Sequence, residues 1–213
     1  MRTLIAIPCM DHVPALFAQS LATLQKEGDV KIAFQMGSLI YTSRNNLAKK
    51  AIQMEADLVF WLDSDMTFAP DTLVKMTAEL QEKNLDILTG LYFRRVPPYS
   101  PTLFDDLHID ENGRPVWSAF TTVPKDLFDV GGCGFGCVLM RTEVFMTCLA
   151  KEPFLFDPFT GIGEDLSFCI RARQNGYKVF CDPNIKCGHV GNYVVTEDFF
   201  KTYSRSITEE LTK

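Results

Sequence analysis

The chain lacks the marks of several large protein classes. Nowhere does it carry the run of about 18 apolar residues that a membrane-spanning helix needs. Its start, Met1-Arg2-Thr3-Leu4-Ile5-Ala6-Ile7-Pro8, has one basic residue and a short apolar run before Pro8, too little for a signal peptide. The expectation is a cytoplasmic protein without a membrane span. A basic excess is missing as well: 21 Lys and Arg face 27 Asp and Glu, for a net charge of −6. Bulk electrostatics therefore gives no support for tight nucleic-acid binding. No G-x-G-x-x-G follows the first apolar run, which argues against a dinucleotide oxidoreductase. Tight C-x2-C pairs are absent too. The seven cysteines sit in apolar segments, and neither Cys133-Gly-Phe-Gly-Cys137 nor Cys181 and Cys187 near His189 has the spacing of a structural zinc site. Reduced, buried thiols are the expectation.

What the chain does have is enough apolar material for one full core: 46% of its 213 residues, against 23% charged. Residues 3–8 read as a first buried strand, and 14–25 as a helix with Leu16, Phe17, Leu21 and Leu24 on one face. A strand at 30–34 follows, then a helix capped by Ser43 that buries Leu47, Ala48, Ala51 and Ile52. Leu58-Val59-Phe60-Trp61-Leu62 reads as a strand buried on both faces. Pro70 opens a third helix at its first helical position, and residues 86–91 form a fourth strand. Strand and helix thus alternate to residue 91, the pattern of a doubly wound parallel sheet.

Beyond residue 91 the rhythm changes. A Pro-rich loop at 94–101 precedes a hairpin over 103–117 with Asn112-Gly113 at its turn. A Gly-rich segment at 130–141, a helix over 165–174 ended by Gly176, a strand at 177–181 and an amphipathic helix from Thr196 complete the chain. No repeat or linker divides it, so residues 1–213 read as one α/β domain.

Three groups of residues point to chemistry. Asp63-Ser64-Asp65 stands directly after the most buried strand. In open α/β sheets ligands bind beyond the carboxyl ends of strands, and two carboxylates there suit a hard divalent cation carrying phosphates. The plainer alternative is that both aspartates serve a turn or a helix N-cap. Next come Glu164 and Asp165, which follow Gly161-Ile162-Gly163 and open a helix. They either favour the helix dipole or place a general base beside a small flexible loop. Third, His189 lies between Gly188 and Gly191, open to a ligand, or else hydrogen-bonded to the backbone of its loop.

Taken in order, Ile5-Ala6-Ile7-Pro8, Ser43-Arg44-Asn45-Asn46-Leu47-Ala48, Leu62-Asp63-Ser64-Asp65, Gly161-x-Gly-Glu164-Asp165 and Gly188-His189 resemble the nucleotide-sugar-dependent glycosyltransferases of the GT-A fold, in their family-2-like branch. The resemblance runs from about Thr3 to Gly191. It implies a GT-A-type, Rossmann-like central sheet, mixed but mostly parallel, flanked by helices, with the hairpin as a small insertion. It implies a nucleotide-binding half over 1–91 and an acceptor half over 92–213. Asp63 would meet the ribose or base of the donor and, with Asp65 and His189, ligate the metal, and Asp165 would be the catalytic base of an inverting reaction, paired with Glu164. Pro8, Arg44 and Asn45 would line the nucleotide site, and Gly132 would form part of the floor beneath the donor sugar. The cation would be manganese, with magnesium the alternative, and the substrates a nucleotide-diphosphate sugar and an unidentified acceptor. The chain departs from the longer members after the acidic pair, where Arg171-Ala172-Arg173 stands without the tryptophan of their QxxRW-like motif. That argues against a processive polysaccharide synthase. Two other readings share the fold: a sugar-phosphate nucleotidyltransferase, against which Cys9-Met10-Asp11-His12 stands where a Gly-rich basic loop is needed, and a non-catalytic nucleotide-sugar-binding module.

Overall fold

The structure, a computed structural model, describes residues 1–191 and 194–211, with backbone alone at 204 and 206–211. Its first part alternates as the sequence suggests: β1 (Arg2–Cys9), α1 (Ala15–Thr23), β2 (Asp29–Met36), α2 (Ile40–Gln53), β3 (Leu58–Leu62), β4 (Met66–Thr67), α3 (Thr72–Glu82) and β5 (Ile87–Leu91). Then come β6 (Leu103–Ile109), β7 (Pro115–Ala119), β8 (Phe128–Val130), β9 (Gly132–Cys133), β10 (Cys137–Arg141), α4 (Glu143–Leu149), α5 (Glu164–Gln174), β11 (Val179–Lys186), β12 (Gly188–Val190), β13 (Val194–Val195) and α6 (Glu197–Leu211).

Seven strands form one sheet in the order β2-β1-β3-β10-β5-β11-β8. β1 runs parallel to β2 and β3, β11 runs parallel to β5, and β10 and β8 run antiparallel to their neighbours. The sheet is therefore mixed and mostly parallel. Side chains alternate across it: Leu4, Ala6, Val59 and Trp61 join one core, with residues of α2, α4 and α5, whereas Ile5, Ile7, Leu58, Phe60 and Leu62 join the other, with α1 and α3. Because helices cover both faces, the strands carry unbroken apolar runs rather than alternating ones.

Three local details differ from the sequence reading. α1 ends at Thr23, because the Gln25 N–H leaves the helix to donate to the Pro70 carbonyl at 2.7 Å. Ser43 is not a cap: α2 begins at Ile40, and the buried Ser43 hydroxyl meets that of Ser38 at 2.6 Å. The Gly-rich segment holds a central strand, β10, whose Val138 and Met140 enter one core and Leu139 the other. The hairpin β6–β7 forms around residues 110–114, and β6 also pairs with β9.

Candidate functional site

Parallel strands deliver their carboxyl ends to one edge of a sheet, and an antiparallel neighbour brings its amino end there. Pro8 and Cys9 thus end β1, Asp63 follows β3, Tyr92 to Arg95 follow β5, and His189 lies beyond β11. Gly136, just before β10, accepts the Asp63 N–H at 3.1 Å. β4 directly follows the Asp63-Ser64-Asp65 turn and pairs with β12, setting His189 opposite Met66, while the Val190 N–H donates to the Asp65 carbonyl at 2.7 Å. This three-stranded sheet brings together two motifs more than a hundred residues apart in sequence. Glycine is required at its centre, since a Cβ on Gly188 would lie 2.5 Å from both Thr67 Oγ1 and Val194 Cγ1.

Arg44 organises the inner side of the site. It is 2% exposed, with its guanidinium over the faces of Trp61 and Phe135 at 5.6 and 5.3 Å from the ring centroids. Its Nη2 donates to Asp63 Oδ1 at 2.8 Å and its Nε to Glu164 Oε1 at 3.0 Å. Burial opposes its charge, but Asp63 and Glu164 outweigh burial and hold the guanidinium firmly protonated. Its Nη1 has no protein partner among the described residues. Asp165, next to Glu164 at the start of α5, accepts the Leu166 N–H at 2.8 Å. Burial first, then repulsion by Glu164 and more weakly by Asp63, push its carboxyl up to about 6, against the pull of Arg44 and the Leu166 N–H.

The outer side is built on Asp65. Its Oδ2 lies 2.5 Å from Arg95 Nη1 and 3.4 Å from His189 Nε2. Burial raises the Asp65 carboxyl, but hydrogen bonding and charge from His189, with Arg95, outweigh it and hold the group below its ordinary range. His189 is shifted the other way: burial depresses it, while Asp65 and the Phe93 carbonyl lift it above the usual histidine value. The ring lies edge-on to Tyr92, with centroids 5.7 Å apart, and its Nδ1 donates to the Phe93 carbonyl at 3.0 Å. Nε2 therefore faces Asp65, as in metal-bound imidazoles whose other nitrogen donates to a carbonyl. Two ligands at right angles on an octahedral ion at about 2.1 Å lie about 3 Å apart, close to the Asp65–His189 separation, so the pair could hold one hard cation only if it displaced Arg95 from the same oxygen. Among the described residues no group of three or more His, Cys, Asp and Glu is gathered to hold a metal.

Two adjoining cavities meet at this edge. One, of about 460 Å³, is lined by Pro8, Cys9, Ser38, Arg44, Ser64 and Asp65. The other, of about 510 Å³, opens toward Phe104, Trp117, Gly134 and Ile162. Asp63, Arg95, Asp165 and His189 line both. Of the residues singled out from sequence, Pro8, Arg44, Asp63, Asp65, Glu164, Asp165 and His189 thus come together. Asn45 and Gly132 stand apart. The Asn45 side chain accepts the N–H groups of Leu155 and Phe156 at 3.0 and 3.1 Å and donates to Asp157 at 3.0 Å, so it ties down the loop before α5. Gly132 packs against Leu107 and Cys169, and it is Gly134 that reaches a cavity wall. His189, expected in an open loop, belongs to β12. Sequence reading missed Arg95 and Tyr92. Tyr92 is buried, which pushes its phenol well up, and its oxygen accepts the Gly136 N–H at 3.0 Å. Their signal was an aromatic and two arginines just beyond the carboxyl end of β5. All seven cysteines are free thiols, six of them buried. Among the described residues no helix is long and apolar enough to cross a membrane.

No family model and no curated protein matches the chain. Solved structures do. A197 from STIV matches with a TM-score of 0.64 at 20% identity, over 90% of this chain and 86% of that one. GalNAc-T7, solved with UDP, GalNAc and Mn2+, matches with a TM-score of 0.59 at 12% identity, over 89% of this chain and 44% of that one. At such identities the likeness establishes the architecture: a large mixed sheet flanked by helices, similar to that of a GT-A glycosyltransferase.

Proposed function

We propose that the protein is an inverting glycosyltransferase that moves a sugar from a nucleoside diphosphate donor to an acceptor hydroxyl. The observation that carries the reading is the position of Asp165, on the wall shared by two cavities, one of which holds both aspartates of the Asp63-Ser64-Asp65 turn. The smaller cavity suits the nucleotide, with Pro8 and Ser38 at the end nearer β1 and β2 and Asp63 toward the ribose. Asp65 and His189 would hold a divalent cation, manganese or magnesium, which supplies Lewis-acid neutralisation of the leaving diphosphate. Arg44 fixes the Asp63 carboxylate, and Glu164 serves by holding Arg44 rather than as a base. Asp165 accepts the proton of the acceptor hydroxyl while that oxygen bonds the anomeric carbon. The bond from that carbon to the diphosphate oxygen breaks with its electron pair on the diphosphate. A carboxyl titrating at about 6 is ionised at neutral pH and more basic than an ordinary aspartate, as a general base requires.

Thermal shift with UDP, GDP, ADP, CDP and dTDP, each with and without manganese, tests the reading. A nucleotide at 100 times its dissociation constant adds about 2.7 kcal/mol of stability. That is a rise of about 5–11 °C for a chain of this size. Indifference to every diphosphate in the presence of manganese would overturn it.

A further inference from the structure

The hairpin β6–β7 forms one wall of the larger cavity. Phe104 of β6 and Trp117 of β7 meet edge to face with centroids 5.7 Å apart, and both line the cavity, as do Pro101, Ile162 and Leu166. Trp117 is 52% exposed and lines the cavity, so its ring is accessible to an occupant. The same cavity is lined by the polar side chains of Asp165, Arg94 and Ser100. Arg94 is exposed.

We infer that this cavity is the acceptor subsite and that its occupant is a saccharide, with one pyranose ring laid against Trp117. The inference rests on the transferase reading above and adds the acceptor class to it. The volume of about 510 Å³ lies in the range of small-molecule sites, roughly 300–1,000 Å³. A pyranose has an apolar face of C–H groups and a rim of hydroxyls. The C–H face carries partial positive charge and matches the negative face of an indole ring. The rim matches the polar part of the lining, where Asp165 takes the proton of one hydroxyl and Arg94 and Ser100 hydrogen-bond others. A lipid chain would cover the charged and polar groups of this lining, Asp63, Arg94, Arg95, Asp165 and His189, without hydrogen-bonding any of them. In a saccharide the reacting hydroxyl and the stacking face can belong to one ring, and Asp165 and Trp117 line one cavity.

The chain has two tryptophans, and Trp61 is fully buried in the core. Changes in indole emission on adding a sugar therefore report Trp117. Methyl pyranosides of glucose, galactose, mannose and N-acetylglucosamine, and their disaccharides, are titrated with and without UDP and manganese. A saturable change in emission is expected, and it is absent from Trp117→Phe, whose remaining indole is Trp61. In transfer assays with the same sugars, Trp117→Ala should raise the acceptor KM about threefold to tenfold, the worth of one aromatic contact. Donor hydrolysis and UDP affinity should not change, and Trp117→Phe should restore most of the loss. Donor binding and hydrolysis with no saccharide altering Trp117 emission or accepting sugar overturns the inference and leaves the transferase reading standing. Transfer to a serine-containing peptide instead does the same. Saccharide binding at Trp117 in a protein that binds no nucleotide supports the sugar site and overturns the transferase reading.

Discussion

Asp165→Asn separates chemistry from stability more sharply than any other change. An amide keeps the shape of the carboxyl and can still accept the Leu166 N–H through its oxygen. It cannot take a proton from an acceptor, and such roles are commonly worth about 10²–10⁴ in rate. The structure adds a second, opposite effect. In the unfolded chain the carboxyl titrates near the ordinary 3.8, and in the fold burial and Glu164 raise it to about 6. Well below pH 3.8 it is protonated in both states and the substitution should be neutral. As pH rises through 4 to 6, the unfolded chain releases its proton first, so the wild type loses stability relative to the amide variant. Above pH 6 the difference is complete, and two units correspond to at most about 3 kcal/mol, less whatever solvent in the cavity screens. The variant should therefore melt up to about 10 °C higher than wild type at pH 7.5 without metal, with the difference vanishing as pH falls below 3.8. Its kcat should fall at least a hundredfold, with nucleotide affinity near wild type. The wild type should itself lose kcat as pH falls through about 6, as the base protonates. A variant that melts lower than wild type and still transfers sugar at the wild-type rate would refute the argument, since it would make Asp165 merely a partner of its helix dipole, worth about 0.3–1 kcal/mol.

Four further outcomes can be checked separately. Asp65→Ala should abolish manganese-dependent nucleotide binding with little change in fold, measured by calorimetric titration; wild-type affinity in manganese would remove Asp65 from the cation site. His189→Ala should raise the manganese concentration needed for half-maximal activity, and an unchanged metal requirement would leave the histidine a structural partner of Phe93. Gly188→Ala should reproduce the His189→Ala phenotype with every ligand intact, because the added Cβ separates β12 from β4; unchanged manganese dependence would mean that the two strands need not pair for the site to work. Arg44→Met should destabilise the protein by about 3–5 kcal/mol in urea, since it strands the Asp63 and Glu164 carboxylates, and a midpoint within experimental error of wild type would show that the pair is worth little.

Much of the fold was legible because its strands are buried on both faces. β1, β3 and β5 announce themselves as apolar runs, since each side chain enters one core or the other. β10 is buried as deeply and central in the sheet, yet it was not read as a strand, because four glycines precede it and suggest a loop. Those glycines have packing causes instead: a Cβ on Gly134 would fall 2.2 Å from the Tyr92 hydroxyl, and one on Gly136 2.7 Å from its ring.

Within the candidate site, legibility followed how far each residue's role depends on remote backbone. Asp63, Asp65, Glu164 and Asp165 stand at element ends, and their position relative to a strand or a helix start is local information. Asn45 shows the opposite case. From sequence it is a polar residue beside Arg44 on a helix that reaches the site, and a ligand role follows naturally. In the fold its amide is spent on two N–H groups 110 and 111 residues away, which no helical periodicity reveals. Buried backbone donors must find acceptors, and the loop before α5 has no strand to pair with, so a side chain must serve. Arg44 and Asn45 are thus adjacent in sequence but divide the work: one sets the electrostatics of Asp63 and Glu164, and the other holds the segment that leads to Glu164. Both act on the start of α5. The start of α5, which carries Asp165, is thus tied to α2 through Glu164 and through the segment at residues 155–157.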